Sequence, residues 1–599
     1  MRDSPIYEDV SHLLTRSRVV FILIEVLFIF VAFYYWKTQI LDYKKYWNQS
    51  EANRTREVIV PAPRAVLTDR GGSVVLANNI ASFKASIIRE NSKNFEDSCR
   101  KISLLLGLEE EVLKQRIEKY RSLPLFKPIV VKDNLTLEDV ALIEGRKMDL
   151  PELVIETEPK RFYPFANLAA HVLGYIQELT PDELRTTFKD RRLGEMVGKT
   201  GIENSYEARM AGVDGKIVEV VDSLGRKRDE LDRIEPQQRP KLSLAIDYDL
   251  QAKAEELLAG KEGAIVALDA KTGGVMALAS YPTYDPNKFV NRFTPEEWMA
   301  LANNPDTPLV NRALQGQYSP GSIFKLVMAA AALDSRTITD QTTFFCGGVI
   351  EIYGRPFHCW SEPGHGTLNF YEAIRQSCNV YFYNIGRRMN IDAIAGYAEQ
   401  LGLGKRTGID IPGEKEGLVP STGWKQRTQK TAWYPGETIS VAIGQGPLQV
   451  TPVQVAAMTA LIANRGRKVR PHVLLDAAPF TETTKIPAAI FEQVIEGMWR
   501  SANAGGTGQA AKVEAFDVCS KTGSTQWIGR ETAERLGGAL KKTHSWFTGF
   551  APRNDPQVVV TVLIEFGGMG GATAAPMAGQ IFKLYKTKYH DRQSPTPRN

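Results

Sequence analysis

A run of 18 residues near the N-terminus, VVFILIEVLFIFVAFYYW from Val19 to Trp36, is apolar except for Glu25. At helical rise this length reaches about 27 Å, close to the hydrocarbon thickness of a bilayer. Such a segment is costly to leave in water, so it forces a membrane span on the chain and leaves the remaining residues to fold as separate bodies. A cleavable signal peptide has a shorter apolar core ending in small residues, whereas this run ends in Phe33, Tyr34, Tyr35 and Trp36, which suit an interfacial aromatic belt. The sequence therefore predicts a tail over 1–18 and an uncleaved anchor over 19–36. Arg2, Arg16 and Arg18 on one side are balanced by Lys37, Lys44 and Lys45 on the other, so basic residues do not set the orientation. Glu25 in mid-span costs roughly 2 to 3 kcal/mol if it faces lipid, which favours a partner helix or snorkelling toward water.

At 599 residues the chain is too long for one hydrophobic core. Its apolar share of 43% and charged share of 24% are those of packed globular units. A net charge of +5 on this length is far from the footprint needed to neutralise several phosphates, and nucleic-acid binding is set aside. The five cysteines, Cys99, Cys346, Cys359, Cys378 and Cys519, are too few and too scattered for a disulfide-dense scaffold.

Beyond the anchor, Lys37 to Arg56 is polar and reads as helical, and Pro61-Ala62-Pro63 breaks it. Short apolar runs, Ala65 to Leu67 and Val74 to Ala77, then alternate with turn residues in a β-rich unit, followed by helical patterns in CRKISLLLGL and LEEEVLKQRIEKY. The basic, proline-containing stretch Arg233 to Lys241 reads as a linker, and a second large unit begins near Leu242. In it, GAIVALDAKTGGVMALAS reads as a hairpin of two apolar strands around a Lys-Thr-Gly-Gly turn, with strands recurring near Trp546 and Val558. Strands at both ends with helices between predict an antiparallel sheet covered by helices, an α+β architecture. The resulting division is a pedestal over 37–240, a catalytic domain over 241–586 and a disordered tail over 587–599.

The strongest chemical signal is Pro320-Gly321-Ser322-Ile323-Phe324-Lys325 opening the helical run LVMAAAAL. Residues three apart share a helix face, so the Lys325 amine can lie beside the Ser322 hydroxyl. A serine becomes a nucleophile when a base takes its proton, and a lysine serves as that base once burial or nearby cations depress its pKa. Ser-x-x-Lys alone is weak, but Ser377-Cys378-Asn379 follows it and Lys521-Thr522-Gly523 comes later, the ordered series of serine acyltransferases that react with penicillin. Lys-Thr-Gly also occurs at Lys199 and Lys271, both before Ser322. Lys521 is chosen because it continues the strand-like run Phe516 to Cys519.

With these motifs the chain resembles the class B penicillin-binding proteins, and among them the elongation type, over nearly its whole length. The resemblance rests on Arg64, Asp69 and Arg70 of Arg-x-x-x-x-Asp-Arg, GKTGIENSYE (Gly198 to Glu207), YSPGSIFK (Tyr318 to Lys325), Ser377-Cys378-Asn379, IGQGPLQVTP (Ile443 to Pro452), and KTGST followed by HSWFTGFAP (His544 to Pro552). Ala65 stands where the family usually has glycine, which puts the local turn in question. The resemblance implies a β-lactamase-like transpeptidase domain on an N-terminal pedestal with one transmembrane helix. It implies that Ser322 attacks the D-Ala-D-Ala carbonyl of a peptidoglycan stem peptide with Lys325 as base. Ser377 relays a proton to the leaving group, Asn379 binds the donor amide, and Lys521 and Thr522 of the Lys521-Thr522-Gly523 strand hold the terminal carboxylate. The backbone amides of Ser322 and Ser524 form the oxyanion hole, and β-lactams acylate Ser322. It further implies a RodA-type membrane glycosyltransferase of the elongation machinery as partner, with Glu25 as a candidate contact, and export of the residues after about 37 to the periplasmic side of the inner membrane. A division-type relative, a β-lactam sensor or β-lactamase, and a non-catalytic scaffold are the alternatives.

Cys346, Cys359, His365 and Cys378 form a C-x12-C-x5-H-x12-C series of soft ligands suited to tetrahedral zinc. Cys378 is the middle residue of the second motif, so a metal there would clamp it. A Cys346–Cys359 disulfide, or cysteines buried as small hydrophobes, are the competing readings. His358, next to Cys359 on an extended segment, is expected to point away. Gly194 to Thr200, GEMVGKT, resembles a phosphate-binding loop but has three residues between its glycines where four are needed, so ATP binding is not expected.

Overall fold

The computed structural model describes residues 11–591, apart from Lys93, Leu193, 223–226, Arg292, Thr481 and 527–542. The first ten residues of the expected tail and the last eight of the chain lie outside the described residues. The apolar run lies in a helix that starts earlier than its hydropathy, at Ser11, runs to Trp36 and continues through a π-turn over Lys37–Leu41. From Leu14 to Leu41 it is long and apolar enough to cross a membrane.

The packing divides the chain into two compact units, each assembled from separated stretches: Met1–Ala62, Ala81–Pro159 and Gly212–Gln237 in the first, and Pro63–Ile80, Lys160–Ala211 and Gln238–Asn599 in the second. In the first unit a three-stranded antiparallel sheet places Gly215–Val221 between Thr55–Val60 and Lys227–Ile234. Arg56 ties it together, reaching Glu219 at 2.9 Å and Glu90 at 3.2 Å. The first two residues of the expected linker, Arg233 and Ile234, are the end of this sheet, because pairing with Ile217 and Lys216 satisfies their backbone. The helical patterns that follow the first strands in sequence are helices in this unit, joined by a further one. Phe95–Leu106, Glu110–Lys119 and Leu137–Gly145 pack Cys99, Ile102, Leu106, Leu113, Ile117 and Ile143 onto the strand Ile129–Lys132.

The second unit is built on a five-stranded antiparallel sheet. Its strands are β1 (Gly263–Asp269), β2 (Val275–Tyr281), β3 (Cys519–Gln526), β4 (Thr543–Ala551) and β5 (Val558–Ile564), in the spatial order β2-β1-β5-β4-β3. The β1–β2 hairpin turns through Lys271, as its sequence predicts, which leaves Lys271 and Thr272 exposed, with Lys271 paired to Asp555 at 2.6 Å. Both faces of the sheet are covered, which is why the strands read as unbroken apolar runs. Ala264, Val266 and Leu268 face a helical layer holding α2 (Lys325–Asp334) and α5 (Pro452–Ala463). Ile265 and Ala267, on the alternate face, pack with α1 (Tyr248–Leu258) and α6 (Ala574–Tyr585). Each buried Val, Leu or Ile among these contributes about 1.5 to 3 kcal/mol. After α6 a π-turn over Lys586–His590 holds Lys588 on Asp247 at 2.6 Å, so the expected disordered tail begins later than Lys586.

The second unit also recruits the motif residues that precede Ser322. Arg64 Nε meets Glu203 at 3.0 Å and Arg64 Nη2 meets Glu207 at 2.7 Å. Arg161 Nε reaches Glu203 at 2.7 Å, and Arg161 Nη1 donates to the Ala65 carbonyl at 2.7 Å. Burial opposes the charge on Arg64, but Glu203 and Glu207 outweigh it and hold its proton more firmly than usual. Ala65 is fully buried, its N–H bonded to the Met210 carbonyl, and it needs no glycine-like backbone. Asp69 closes its turn by accepting from the amides of Ser73 and Val74, and Arg70 pairs with Asp269 at 3.0 Å. Removing one member of such a buried network leaves charges unpaired at a cost of about 3 to 5 kcal/mol, against about 1 kcal/mol or less for an exposed pair such as Arg209–Asp476. Glu203→Ala should therefore lower the unfolding midpoint of the full chain in denaturant far more than Asp476→Ala; equal shifts would contradict this account.

Candidate active site

Ser322 sits half-buried in a single 3₁₀ turn, Gly321–Phe324, that feeds directly into α2. The turn is pinned from three directions. The Gly321 amide donates to the Gly444 carbonyl at 3.0 Å, while Thr525 Oγ1 and Trp546 Nε1 both donate to the Ser319 carbonyl, at 3.0 and 3.1 Å. Glycine is required at two points of this contact. A Cβ on Gly523 would lie 2.9 Å from the Pro320 carbonyl and 3.1 Å from Ile323 Cγ1, so only glycine lets β3 approach the turn. A Cβ on Gly444 would overlap the Gly321 backbone.

Lys325 opens α2 with no solvent exposure. Its Nζ donates to the Ser377 carbonyl at 2.8 Å, to Asn379 Oδ1 at 2.7 Å and to Ser377 Oγ at 3.4 Å. The sequence spacing suggests a partner in Ser322 Oγ; among the described residues the bonds run instead to the second motif. All the acceptors are uncharged, so burial dominates and pushes the ammonium down to about 8. The Phe382 ring lies 5.5 Å from Nζ.

Ser377 lies between α3 (Phe370–Arg375) and α4 (Asn379–Gly386) with φ +54°, a left-handed conformation that costs a non-glycine residue about 1 to 3 kcal/mol. Lys521, on β3, is as buried as Lys325 and comes to Ser377 from the opposite side. Its Nζ donates to Ser377 Oγ at 2.8 Å and to the Thr522 carbonyl at 2.9 Å. Burial, and then the charge of Lys325, hold its ammonium well below the usual lysine range. Thr522 Oγ1 donates to Thr507 Oγ1 at 2.7 Å, and Ser524 Oγ accepts from the Gly570 amide at 3.0 Å. β3 starts at Cys519, later than the strand-like run from Phe516, and its register opposite β4 sets Lys521 beside Thr548 and Gly523 beside Trp546. The Lys199 tripeptide is remote in role: Lys199 pairs with Glu183 at 2.5 Å, and its segment forms a short strand and helix, not a phosphate loop.

The side chains of Cys346, Cys359, His365 and Cys378 converge, with their ligand atoms within 4.8 Å of one another. His365 Nδ1 is 3.6 Å from Cys346 Sγ and 3.5 Å from Cys359 Sγ. All the cysteines are free, so Cys346 and Cys359 are not bridged. His358 is exposed and apart from the group. The two His365 spacings are near the edge length of a tetrahedron with metal bonds of about 2.0 to 2.3 Å, and these side chains could together hold a metal ion. A hydrogen bond from Cys378, and backbone donors with it, pull the Cys359 thiol down, while Cys378 is pushed up by the same contact and by burial. The hairpin of Val349–Ile352 and Arg355–His358, flanked by Cys346 and Cys359, touches the second motif through its end and the residues just after it. Trp360 Nε1 donates to the Gln376 carbonyl at 3.0 Å, and the His358 carbonyl accepts from Asn379 Nδ2 and Tyr383 OH, each at 3.2 Å. Trp360, Tyr383, Thr507, Gly444 and Trp546 are supporting residues that sequence reasoning did not assign; the quoted stretches IGQGPLQVTP and HSWFTGFAP contain two of them without indicating what they contact.

Two family models match the chain: a penicillin binding protein transpeptidase domain over residues 263–583 and a penicillin-binding protein dimerisation domain over 59–244. A peptidoglycan D,D-transpeptidase MrdA from Acinetobacter baumannii is 34% identical, covering 95% of this chain and 87% of the relative. The solved complex between penicillin-binding protein PBP2 and MreC from Helicobacter pylori superposes with a TM-score of 0.80 at 28% identity, over 89% of this chain and 99% of that one. A structure described as structural coordination of polymerization and crosslinking by a peptidoglycan synthase complex matches with a TM-score of 0.71 at 28% identity, over 97% of this chain and all of that one.

Proposed function

The chain belongs to the class B penicillin-binding proteins of the elongation type and is a peptidoglycan D,D-transpeptidase; from that premise we propose that Ser322 is its nucleophile and that Lys325, Ser377, Asn379 and Lys521 carry the reaction. The observation that supports this most is the meeting of all three motifs at one atom, Ser377 Oγ, which takes Lys521 Nζ at 2.8 Å and Lys325 Nζ at 3.4 Å.

In this reading neutral Lys325 takes the Ser322 proton, and Oγ attacks the carbonyl of the penultimate D-Ala of a donor stem peptide. The amides of Ser322 and Ser524 receive the developing oxyanion. With two ammonium donors on its lone pairs, the Ser377 hydroxyl has its own hydrogen free to give to the departing D-Ala amine, replaced through the lysines by the proton taken from Ser322. Lys521 and Thr522 hold the donor carboxylate, Asn379 its amide, and Gly523 keeps β3 close to the nucleophile. An acceptor amine then displaces Ser322 and forms the cross-link. A β-lactam enters the same first step and stays. Because this substrate lies outside the cytoplasm, residues after about 37 are on the periplasmic side, the pedestal occupying 37–240 and the catalytic domain 241–586.

Zinc is the second proposal, held by Cys346, Cys359, His365 and Cys378. When bound it would tie Cys346, Cys359 and His365 to Cys378, and so hold the neighbours Ser377 and Asn379 in place without entering the chemistry. The third concerns the anchor: Glu25 meets a polar group of a RodA-type glycosyltransferase within the membrane, a reading supported by the relative found in a peptidoglycan synthase complex.

Intact-protein mass spectrometry with a penicillin should show one slowly released adduct on the wild type and none on Ser322→Ala. Since Lys325 must be neutral to act, and its ammonium gives up its proton at about 8, the acylation rate should fall about tenfold per pH unit below that value and level off above it. Uptake of drug by the alanine variant would end the assignment, as rapid drug hydrolysis would end the transpeptidase reading. Elemental analysis of purified protein is expected to find one zinc per chain, lost in Cys359→Ser; a metal-free preparation of full activity would remove the second proposal. Glu25→Leu is expected to lower co-purification with the glycosyltransferase several-fold, and unchanged recovery would remove the third.

A further inference from the structure

The nucleophile turn is also held from behind, by residues outside all three motifs. Tyr318, four positions before Ser322, donates its phenol to Glu565 Oε1 at 2.7 Å, and the same oxygen receives Arg312 Nε at 2.8 Å. Arg312 is nearly buried, and its Nη2 is committed to the Asp306 carbonyl at 3.0 Å and Thr307 Oγ1 at 3.2 Å. The guanidinium is thus fixed, and it fixes the carboxylate. Burial and the neighbouring Glu565 charge both push the Tyr318 phenol up, so it remains a donor. Its ring packs edge-on against His544 at 5.5 Å and Trp546 at 6.2 Å, and its backbone pairs with Val450. The next residue, Ser319, offers the carbonyl held by Thr525 and Trp546.

Glu565 is the first residue after β5, and the loop it begins returns to the site at Gly570, whose amide donates to Ser524 Oγ. One carboxylate therefore links Tyr318, just before the nucleophile turn, to the start of the loop that steadies Ser524. We propose that Glu565 is a positioning residue for the acylation step: held by Arg312, it anchors Tyr318 and so sets Ser322 Oγ against the Ser524 amide. This rests on Ser322 being the nucleophile and Ser524 supplying an oxyanion donor. A hydrogen-bond donor shifted by a fraction of an ångström still binds the drug but no longer meets the developing charge, so the loss should appear in the rate of bond formation rather than in binding.

The experiment is the time course of acylation by a fluorescent penicillin over a range of drug concentrations, which separates the acylation rate constant from the pre-equilibrium binding constant. Full-length wild type, Glu565→Gln, Tyr318→Phe and the double variant are compared, with the adduct located by peptide mapping. Glu565→Gln leaves Arg312 a carboxylate at Glu262, 3.6 Å away, and Tyr318→Phe removes a single oxygen, so at least one variant remains folded by its melting profile. Each single change should slow acylation roughly tenfold or more with binding altered less than about twofold, and the double variant should be no slower than the slower single one, because the loss of charge at Glu565 and the loss of the Tyr318 hydroxyl weaken the same connection. Acylation within about twofold of wild type in the folded variants, a loss confined to binding, or losses that multiply in the double variant would overturn the proposal. An adduct mapped to a residue other than Ser322 would instead overturn the reading on which it rests.

Discussion

Two lysine side chains without solvent exposure point at one serine oxygen, and the chemistry proposed for the molecule depends on that conflict. Lys325 and Lys521 are matched only with uncharged acceptors, the carbonyls of Ser377 and Thr522, Asn379 Oδ1 and Ser377 Oγ. Taking each cation out of water costs several kcal/mol, and no carboxylate among these acceptors offsets it. The charge of Lys325 further raises the cost of charging Lys521, so the proton load of the pair is reduced. A carboxylate in either position of contact would stabilise the ammonium and remove the base.

Such a pair persists only if its surroundings leave it no relaxation. The scaffold supplies this from separate directions. α2 begins in a tight 3₁₀ turn that keeps Lys325 pointing inward, β3 carries Lys521 with Gly523 allowing close approach, and the loop between α3 and α4 holds Ser377 in a left-handed backbone. The hairpin flanked by Cys346 and Cys359, with the residues just after it, bonds to Gln376, Asn379 and Tyr383, so its order and that of the second motif are coupled. The Arg64, Arg161, Glu203 and Glu207 network does comparable work farther from the chemistry: it binds segments remote in sequence into the catalytic unit.

Expectations drawn from periodicity and from local chemistry fared differently. The β1–β2 hairpin, the helices within Phe95–Lys119 and the apolar helix over Val19–Trp36 were legible because alternation, 3.6-residue spacing and length are local properties. Boundaries were not, since Arg233 and Ile234 join a strand, and residues after Lys586 keep a helical turn, through partners far away in sequence. Among site residues, the motif serines and lysines could be named in order, yet their bonding could not. Lys325 was expected beside Ser322 from helical spacing, and its hydrogen bonds among the described residues run to Ser377 and Asn379, 52 and 54 positions away, which the loop between α3 and α4 brings to it.

The sequence by itself determined the inventory: an anchor, three ordered motifs, a set of soft ligands and strands apolar on both faces. Only the tertiary structure decided that Lys521 Nζ reaches Ser377 Oγ, that Cys346 and Cys359 stay unbridged within reach of His365 and Cys378, and that Glu565 lies behind Tyr318. The reason is that a pKa, a ligand set or a hydrogen bond is a property of distances between residues tens to hundreds of positions apart, and those distances are set by packing, which local pattern does not encode.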